Sequence, residues 1–308
     1  MTGVLALKYR PETFDDVIGN QDVIEVLKNQ MSGSGQPLSH SILLHGPTGC
    51  GKTTIGRIIA RTLGAEGGDL QEVDSADFRG VDTIRDIRKQ SRYKPLGSSC
   101  RVWILDEVHR LTNDAQSALL KELEDTASHV YYILCTTDPQ KLLPTIRGRC
   151  ASFQVRTLTE KEMKKLLLKV VKREGESLDK DVYEQIVQDS MGHPRNALQI
   201  LAQVLAVDDD KRLKVAKRSA EKQSQIIELC RGLIGGAPWP KISTILKGLK
   251  QEDPEQIRRA VLGYCQTVLL NDPNDQVASV MQEFIEPFYN SGHPGLVLAC
   301  YSVLYAEE

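Results

Sequence analysis

Short apolar segments alternate with helical patterns over the first half of the chain. Each segment has four to six residues, and the stretch that separates it from the next has apolar residues at helical spacing. This alternation predicts a parallel β-sheet flanked by α-helices. The predicted strands are residues 41–45, 70–74, 102–105, 130–135 and 151–155.

The pattern becomes helical after the last predicted strand. Thr159 is followed three residues later by Glu162, which is the signature of a helix-capping box, and apolar residues then recur at helical spacing. A second helix is predicted over residues 181–190, and a third opens at His193-Pro194, with proline in its first turn. The segment from residue 158 to about 207 therefore predicts three helices.

A charged stretch at residues 208–218 follows this helical segment. We interpret it as a junction, although Leu213 and Val215 could extend a helix across it. Beyond it, helical patterns are divided by glycine, proline and asparagine breakers, which predicts an all-helical region. The predicted helices are residues 220–234, 239–250, 254–271, 275–289 and 294–306.

These patterns predict a chain of three parts. Residues 1–157 form an α/β domain, 158–218 a helical domain and 219–308 a second helical domain. The length of 308 residues is compatible with this division, because a domain has roughly 150 residues and two or three compact units are expected.

The composition excludes several classes of protein. No stretch approaches the roughly 18 consecutive apolar residues of a membrane helix, and the N-terminal residues lack a secretory signal, so we expect a cytoplasmic protein without a membrane partner. The seven cysteines form no C-x-x-C pair, which supports neither a disulfide framework nor a zinc cluster. The net charge is −2, so any attraction to nucleic acid must come from a local patch.

A glycine-rich segment follows the first predicted strand and precedes a helical pattern, which is the context of a phosphate-binding loop. Its glycines allow backbone N–H groups to wrap phosphates, Lys52 supplies a charge to the β and γ oxygens, and the Thr53 hydroxyl completes a Mg²⁺ shell. The alternative is a glycine-rich turn that binds no nucleotide. The predicted nucleotide-binding residues are Gly46, Pro47, Thr48, Gly49, Cys50, Gly51, Lys52, Thr53 and Thr54.

Two adjacent carboxylates, Asp106 and Glu107, come directly after the third predicted strand. A carboxylate at the C-terminal end of a parallel strand lies on the ligand side of the sheet. Asp106 can therefore hold the Mg²⁺ shell while Glu107 polarises an attacking water. The alternative is that this acidic pair caps a helix.

A basic patch lies between residues 79 and 101, where seven basic residues stand against two aspartates. Four of the basic residues recur at helical spacing, so they form one cationic helix face. Such a face neutralises phosphates without reading bases, which predicts binding to the DNA backbone. The alternative is a solvated helix face. The predicted DNA-binding residues are Arg79, Arg85, Arg88, Lys89 and Arg92.

Five ordered motifs resemble those of the AAA+ ATPase subunits of sliding-clamp loaders. They are KYRP at 8–11, the glycine-rich loop, DEVH at 106–109, CTTDPQKLLPTI at 135–146 and RGRC at 147–150. The likeness is to the bacterial DNA polymerase III gamma/tau family, and DSADFRGVDTIR at 74–85 is also similar to the small subunits of replication factor C. The resemblance covers essentially the whole chain.

The resemblance implies an AAA+ phosphate-loop NTPase domain with a parallel sheet, a three-helix lid and an all-helical C-terminal collar for oligomerisation. It implies an ATPase that uses ATP and Mg²⁺, is stimulated by clamp and DNA, and opens a sliding clamp to place it on DNA during replication. The implied partners are the sliding clamp, primer-template DNA and other loader subunits in a pentameric ring of self copies plus a companion subunit.

The resemblance also assigns roles to two residues outside the loop. Thr137 matches the sensor that orients the attacking water or reads the γ-phosphate, and its alternative is a turn residue before Asp138-Pro139. Arg149 matches the arginine finger of the family's Ser-Arg-Cys motif, with Gly148 in place of the serine. An arginine finger of this kind acts on ATP that a neighbouring subunit holds.

Three further residues match positions around the nucleotide. Arg195 matches the lid arginine that touches the γ-phosphate, and its alternative is a surface salt bridge. Tyr9 and Arg10 match the N-terminal segment that lines the adenine pocket, and their alternative is an ordinary strand edge.

The sequence departs from the gamma/tau pattern in two places. Residues 63–73 contain no cysteine, so the four-cysteine zinc module of that family is not expected here. The sequence also ends at Glu308 after the predicted collar, so a tail that binds polymerase and helicase is not expected. A phage-encoded or archaeal-type loader subunit is therefore an alternative to a bacterial one.

Two rival functions stay open at this point. A hexameric branch-migration motor would have a winged-helix domain in place of the collar, and the region after residue 220 lacks a strand pattern for one. A non-hydrolysing loader subunit of the delta-prime type would have a damaged phosphate loop. That loop is intact here, and Asp106 and Glu107 are both present.

Overall fold

The computed structural model describes residues 5–34, 36–95, 97–250, 252–271, 274–288 and 291–305. The chain divides into two compact units, Met1–Arg212 and Leu213–Glu308. The first unit contains the predicted α/β domain and residues 158–212 of the predicted helical domain that follows it. The division between those two, at residues 157 and 158, stays a prediction.

The described part of the first unit contains one sheet of five parallel strands, in the order β2-β3-β4-β1-β5. Every strand coincides with a predicted one to within a residue at each end, and β1 and β2 have the predicted bounds. The strands are β1 (Ser41–His45), β2 (Leu70–Asp74), β3 (Arg101–Asp106), β4 (Val130–Thr136) and β5 (Ala151–Gln154).

Helices cover both faces of this sheet, and three more follow its last strand. The helices before and between the strands are α1 (Leu5–Lys8), α2 (Gln21–Met31), α3 (Lys52–Thr62), α4 (Val81–Ser91), α5 (Asn113–Glu124) and α6 (Pro144–Arg149). The three that follow, which we call the lid, are α7 (Glu160–Glu174), α8 (Lys180–Asp189) and α9 (Pro194–Leu205).

The apolar runs in the strands are explained by burial on both faces of the sheet. In β1, Ile42 and Leu44 pack with α2 and α3 on one face, whereas Leu43, which lies between them, packs with Ile84 and Ile87 of α4 on the other. Successive side chains of a strand point to opposite faces, so a strand covered on both sides is apolar at every position. The predicted α/β layering is therefore confirmed.

The first lid helix begins at the predicted capping box. The hydroxyl of Thr159 accepts a hydrogen bond from the Glu162 backbone N–H, and the Glu162 carboxylate accepts one from the Thr159 backbone N–H at 2.8 Å. The helix ends at Gly175, whose φ of +75° is a left-handed conformation that glycine adopts without steric cost. The third lid helix has Pro194 in its first turn, as predicted.

The alternative that a helix extends across residues 208–218 is confirmed, because α10 (Asp209–Ile234) is helical across this stretch, and the division between the two units falls within it, after Arg212. Its charged residues support the helix instead of interrupting it. Arg212 forms an ion pair with Asp209 one turn earlier, at 2.8 Å, and another with Glu176 at 2.9 Å. A charge run whose opposite charges lie three positions apart stabilises a helix, which the composition of the run alone did not reveal.

The second unit is helical throughout its described residues. After α10 come α11 (Trp239–Gly248), α12 (Pro254–Asn271), α13 (Asp275–Glu283) and α14 (Gly292–Tyr305). Its core is formed by apolar residues of all these helices, among them Cys230, Ile242, Val261, Val280 and Cys300. None of the helices in the described part of the chain is long and apolar enough to cross a membrane.

Candidate functional site

The glycine-rich loop joins β1 to α3 and depends on backbone conformations that require glycine. Gly46 has a φ of +147°, and a Cβ atom there would lie 2.0 Å from the carbonyl oxygen of Val155. Gly49 and Gly51 have φ values of +75° and +102°. The tight path of the loop therefore follows from its glycines, as the sequence predicts.

Lys52 is the first residue of α3, and its side chain folds back over the loop. The residue is only 5% exposed, and Nζ donates hydrogen bonds to the carbonyl oxygens of Gly46 and Pro47, both at 2.9 Å. An ammonium group has three donors, so these two bonds fix its position and leave one for a phosphate oxygen. The residue is thus placed as a phosphate-binding lysine requires.

Thr53 and Asp106 meet at the carboxyl end of the sheet. The Thr53 hydroxyl donates a hydrogen bond to Asp106 Oδ2 at 2.6 Å, and Asp106 Oδ1 accepts one from the Glu107 backbone N–H at 2.9 Å. A hydroxyl and a carboxylate oxygen in contact are the ligand types that Mg²⁺ takes when it binds to one or two protein groups and to substrate phosphates. The two predicted metal ligands fit that ion.

Glu107 directly follows β3 and has a φ of +49°, an uncommon conformation for a residue other than glycine. Its Oε2 lies 3.5 Å from the Thr137 hydroxyl and 3.4 Å from Nδ1 of His109. The two predicted residues, Glu107 and Thr137, are therefore neighbours because β3 and β4 pair in the sheet. A carboxylate and a hydroxyl at this distance can hold one water between them and the loop.

His109 is a residue of the site to which the sequence analysis assigned no role. Its Nδ1 lies 3.0 Å from the Thr136 hydroxyl, in addition to its contact with Glu107. Burial lowers the pKa of His109, and the nearby Glu107 carboxylate opposes that shift. Its place in the DEVH motif was the available signal, but nothing in that motif indicates which group the imidazole contacts.

A cavity of about 540 Å³ opens beside the loop, within the first unit. This volume is within the usual range for small-molecule sites. It is lined by the N-terminal segment, the glycine-rich loop and the lid, and the predicted residues Tyr9, Arg10, Thr54 and Arg195 are all on its walls. Arg195 is close to the loop, because a Cβ atom at Gly49 would lie 3.4 Å from its Cβ.

Arg149 is at the end of α6 and is not among the residues that line this cavity. Its guanidinium forms an ion pair with Glu124 at 2.5 Å, and both side chains are about two-fifths exposed. The contacts described for Arg149 are with Glu124 and with the carbonyl oxygen of Thr145, and neither is a residue of the predicted nucleotide site. The arginine is accessible from outside the subunit.

The basic helix α4 has the predicted cationic face, but several of its charges are paired. Arg85 and Lys89 each form an ion pair with the aspartate three residues earlier, Asp82 at 2.8 Å and Asp86 at 3.2 Å. Arg88 pairs with Glu122 at 2.9 Å. The apolar side of the helix is buried as predicted, with Ile84 and Ile87 at most 2% exposed.

The two ends of the predicted patch differ. Arg79 is exposed before α4, and Arg92 is exposed directly after it. Arg101, which was counted with the patch, is 8% exposed and pairs with Asp69 at 2.9 Å. The accessible patch therefore has one basic residue fewer than the seven counted from the sequence, because Arg101 begins β3 and its side chain is buried. The other basic residues stay candidates for DNA contact.

Comparisons with known proteins show which proteins this chain is similar to. A family model described as DNA polymerase III, delta subunit, matches residues 69–159. A DNA polymerase III subunit gamma/tau from Mycobacterium tuberculosis is 35% identical over 222 residues, which are 65% of this chain and 38% of that protein. A tau subunit from Bacillus subtilis is 31% identical over 288 residues, which are 85% of this chain and 51% of that protein. The chain is related to the DNA polymerase III gamma/tau subunits.

The tau subunit of Escherichia coli is also similar, at 34% identity over 67% of this chain and 35% of that protein. The chain thus spans about a third to a half of the length of these gamma/tau relatives. A solved structure of RuvB from Thermotoga maritima, described as a Holliday junction branch migration motor, superposes with a TM-score of 0.59 at 21% identity. It covers 73% of this chain and 79% of that chain. This likeness shows the fold alone, a parallel five-stranded sheet flanked by helices that the chain shares with that protein.

Proposed function

We propose that the chain is an ATPase subunit of a sliding-clamp loader, which uses ATP binding and hydrolysis to open the clamp and place it on primer-template DNA during replication in the cytoplasm. The observation that carries the proposal is the meeting of Thr53, Asp106, Glu107 and Thr137 at one edge of the sheet. The relatives named as gamma/tau subunits supply the clamp-loading context.

The residues on the loop and the lid bind the nucleotide. Backbone N–H groups of the glycine-rich loop wrap the phosphates, and Lys52, held by two carbonyl oxygens, directs its remaining donor to them. Arg195 reaches the γ-phosphate from the lid, and Tyr9 and Arg10 line the adenine end of the cavity. These contacts leave the γ-phosphate next to the carboxyl end of β3.

The residues after β3 and β4 act on the attacking water. Thr53 and Asp106 would hold Mg²⁺, which neutralises charge on the phosphates when it is bound. Glu107 polarises the water, and Thr137, whose hydroxyl is 3.5 Å from that carboxylate, orients it. Adjacent acids thereby take two different tasks because their side chains leave the strand end in different directions.

Arg149 completes the site of a neighbouring subunit. It is exposed and does not line the cavity of its own chain, so its guanidinium is available to ATP that another copy holds. Hydrolysis then depends on assembly of a ring of several copies and a companion subunit. The helical second unit serves as the collar through which these subunits associate.

The exposed face of α4 contacts the DNA backbone inside that ring. Its basic groups are arginine and lysine side chains, which can neutralise phosphates without reading bases, and this suits a machine that acts at any primed site. The aspartates on the same helix reduce the net charge of the face, so binding is expected to be moderate for each subunit.

Two other functions are less well supported. A delta-type subunit, which the family model's description suggests, would need no water-activating carboxylate, whereas Glu107 is present and contacts Thr137. A branch-migration motor shares the fold, but the described residues of the second unit are all helical and provide no strands for a winged-helix domain.

The proposal is tested by ATP hydrolysis of the assembled loader, with and without its clamp and primed DNA. We expect a slow basal rate that rises when both substrates are added. Glu107→Gln should keep ATP binding, measured by titration calorimetry, and lose turnover by at least about a hundredfold. Wild-type turnover by Glu107→Gln would refute the assignment of the catalytic carboxylate.

A further inference from the structure

His193 connects the lid to the glycine-rich loop. It immediately precedes α9, and its Nδ1 lies 2.8 Å from the carbonyl oxygen of Thr48, which is 145 positions earlier in the chain. Because a carbonyl oxygen can only accept, Nδ1 must carry the proton and donate it. Nδ1 is also 3.9 Å from Sγ of Cys50, a much longer contact, so the carbonyl is its main partner.

The position of His193 in the helix makes this contact unusual. It is the N-cap residue of α9, a place where serine, threonine or aspartate usually bonds to the helix backbone, but its side chain makes no such bond. Pro194 at the next position has no N–H, so the helix start has one fewer donor to satisfy. The imidazole is therefore free to reach across to the loop.

The turn that holds His193 is fixed from the other side as well. The Leu158 backbone N–H donates to the carbonyl oxygen of Gly192 at 2.8 Å, and a Cβ atom at Gly192 would lie 2.6 Å from the Leu158 carbonyl oxygen. Leu158 lies in the segment that joins β5 to the lid. One hydrogen bond thus ties the turn to this linker, and the His193 bond ties it to the loop.

We infer that His193 is a positioning residue that sets the lid arginine Arg195 over the glycine-rich loop and so favours ATP over ADP. This inference rests on the proposed function. Arg195 comes two residues after His193 on the same helix start, and its Cβ is already close to Gly49. A rotation of this helix start would move the guanidinium away from the γ-phosphate, which only ATP has.

The same bond acts on the loop itself. The oxygen that accepts from His193 belongs to the peptide group whose N–H is that of Gly49. A hydrogen bond to the oxygen of a peptide polarises its N–H and strengthens the bonds that N–H donates. The Gly49 N–H is one of the loop amides expected to face the phosphates, so His193 supports nucleotide binding through the backbone and through Arg195.

The inference is tested with His193→Phe, which keeps an aromatic ring but removes the donor. Calorimetry with Mg²⁺ gives the affinities of the chain for ATPγS and for ADP. A single hydrogen bond has a net effect of about 1 kcal/mol, so we expect the preference for ATPγS over ADP to fall about five- to tenfold. The control is His40→Ala, since His40 Nδ1 also bonds a carbonyl, that of Val130 at 2.7 Å, at the opposite end of β1. It should lower the melting temperature without changing this preference.

A double variant shows whether His193 acts through Arg195 or independently of it. Arg195→Ala should also reduce the preference for ATPγS, and adding His193→Phe to it should reduce the preference no further. Additive losses, or an unchanged preference in His193→Phe, would overturn the inference.

Hydrogen exchange in the nucleotide-free chain tests the contact between His193 and the loop without relying on the proposed function. His193→Phe should accelerate exchange in peptides that cover residues 46–51 and 190–198, and unchanged exchange there would contradict the link. If the wild-type chain binds neither nucleotide, the proposed function fails, and this exchange comparison alone then decides whether His193 holds the lid to the loop.

Discussion

The hydroxyl of Thr53 lies 2.6 Å from a carboxylate oxygen of Asp106, although 53 positions separate the two residues in the chain. Thr53 lies in the first turn of α3, and Asp106 is the last residue of β3. Gly56, one turn later in α3, makes this approach possible, because a Cβ atom there would already lie 3.2 Å from Cγ2 of Ile133 in β4. The helix therefore packs close to the sheet and brings its first turn to the strand ends.

The contact predicts a specific Mg²⁺ dependence of ATP hydrolysis. Thr53→Ala removes one of the two protein oxygens, so half-maximal activity should need at least about tenfold more Mg²⁺. Thr53→Ser keeps the hydroxyl and should behave much like the wild type. The matched control is Thr62→Ala at the other end of the same helix, whose hydroxyl bonds only to the Ile58 carbonyl oxygen among the contacts described. An unchanged Mg²⁺ requirement in Thr53→Ala would remove the residue from the metal site.

The exposed position of Arg149 predicts rescue between two inactive variants. Arg149→Ala and Glu107→Gln should each lose turnover, the former by about a thousandfold, which is typical of an arginine finger. A mixture creates interfaces with an intact Glu107 on one chain and an intact Arg149 on the next, so activity should partly return. Native mass spectrometry must show that both variants are in the same rings.

A co-assembled but inactive mixture would contradict action on the neighbouring subunit. Glu124→Gln provides a further control, because it removes the partner that Arg149 has within its own chain. It should leave the rescue intact if that ion pair is only a surface contact.

The paired charges on α4 predict opposite effects on DNA binding. Replacing Arg85, Lys89 and Arg92 with alanine should weaken binding to any duplex sequence. The slope of log affinity against log salt should fall by about 0.9 for each phosphate that the variant no longer neutralises. Replacing Asp82 and Asp86 with asparagine should strengthen binding, since it releases Arg85 and Lys89 from their ion pairs.

The control for the salt slope is a variant that loses the same number of positive charges from another helix. Lys161, Lys165 and Lys172 are exposed on α7, and their triple alanine variant should leave the slope unchanged. Equally weakened DNA binding in the two triple variants would mean that α4 is an ordinary solvated face.

The capping box predicts a pH-dependent contribution to stability. The Arg156 guanidinium, at 2.9 Å, and the hydrogen bonds from Thr159 lower the pKa of Glu162 to about 2. Because the folded-state pKa lies below the ordinary value near 4.5, this stabilisation is complete above that value and is lost as the pH falls towards 2.

Glu162→Gln should therefore reduce the free energy of unfolding by about 1 kcal/mol at pH 7, and the gap to the wild type should narrow at pH 3. Denaturant unfolding at the two pH values measures the gap. Glu160→Gln, in the same helical turn, is the control and should show little effect. A gap that is equal at both pH values would contradict the role of the Glu162 charge.

Local patterns predicted the parts of the fold that depend on neighbours in the chain. The bounds of β1 and β2, the capping box at Thr159 and the loop glycines all follow from short-range spacing and burial. The place of Glu107 followed from the rule that a carboxylate after a parallel strand lies on the ligand side of the sheet, and the role of Thr137 came from the resemblance. Their separation of 3.5 Å is a finding of the structure.

Contacts between distant residues could not be predicted in this way. Arg101 and Arg92 belong to the same basic stretch of the sequence. Arg101 is nevertheless buried and pairs with Asp69, because it begins an interior strand. The charges near Arg212 left open whether a helix crosses this stretch, and only the ion pair of Arg212 with Asp209 shows how they support one. His193 meets Thr48 only because the lid folds back over the loop, and no local pattern contains that geometry.

In the proposed function, nucleotide binding at this site drives the loading of a clamp onto DNA. Retention of a fluorescent clamp on circular primed DNA, with the chain in its assembled loader, measures this most directly. We expect loading that requires ATP and is abolished by Lys52→Ala, because this variant lacks the buried ammonium that Gly46 and Pro47 hold at the loop. Clamp loading by Lys52→Ala at the wild-type rate, or equal loading without nucleotide, would contradict it.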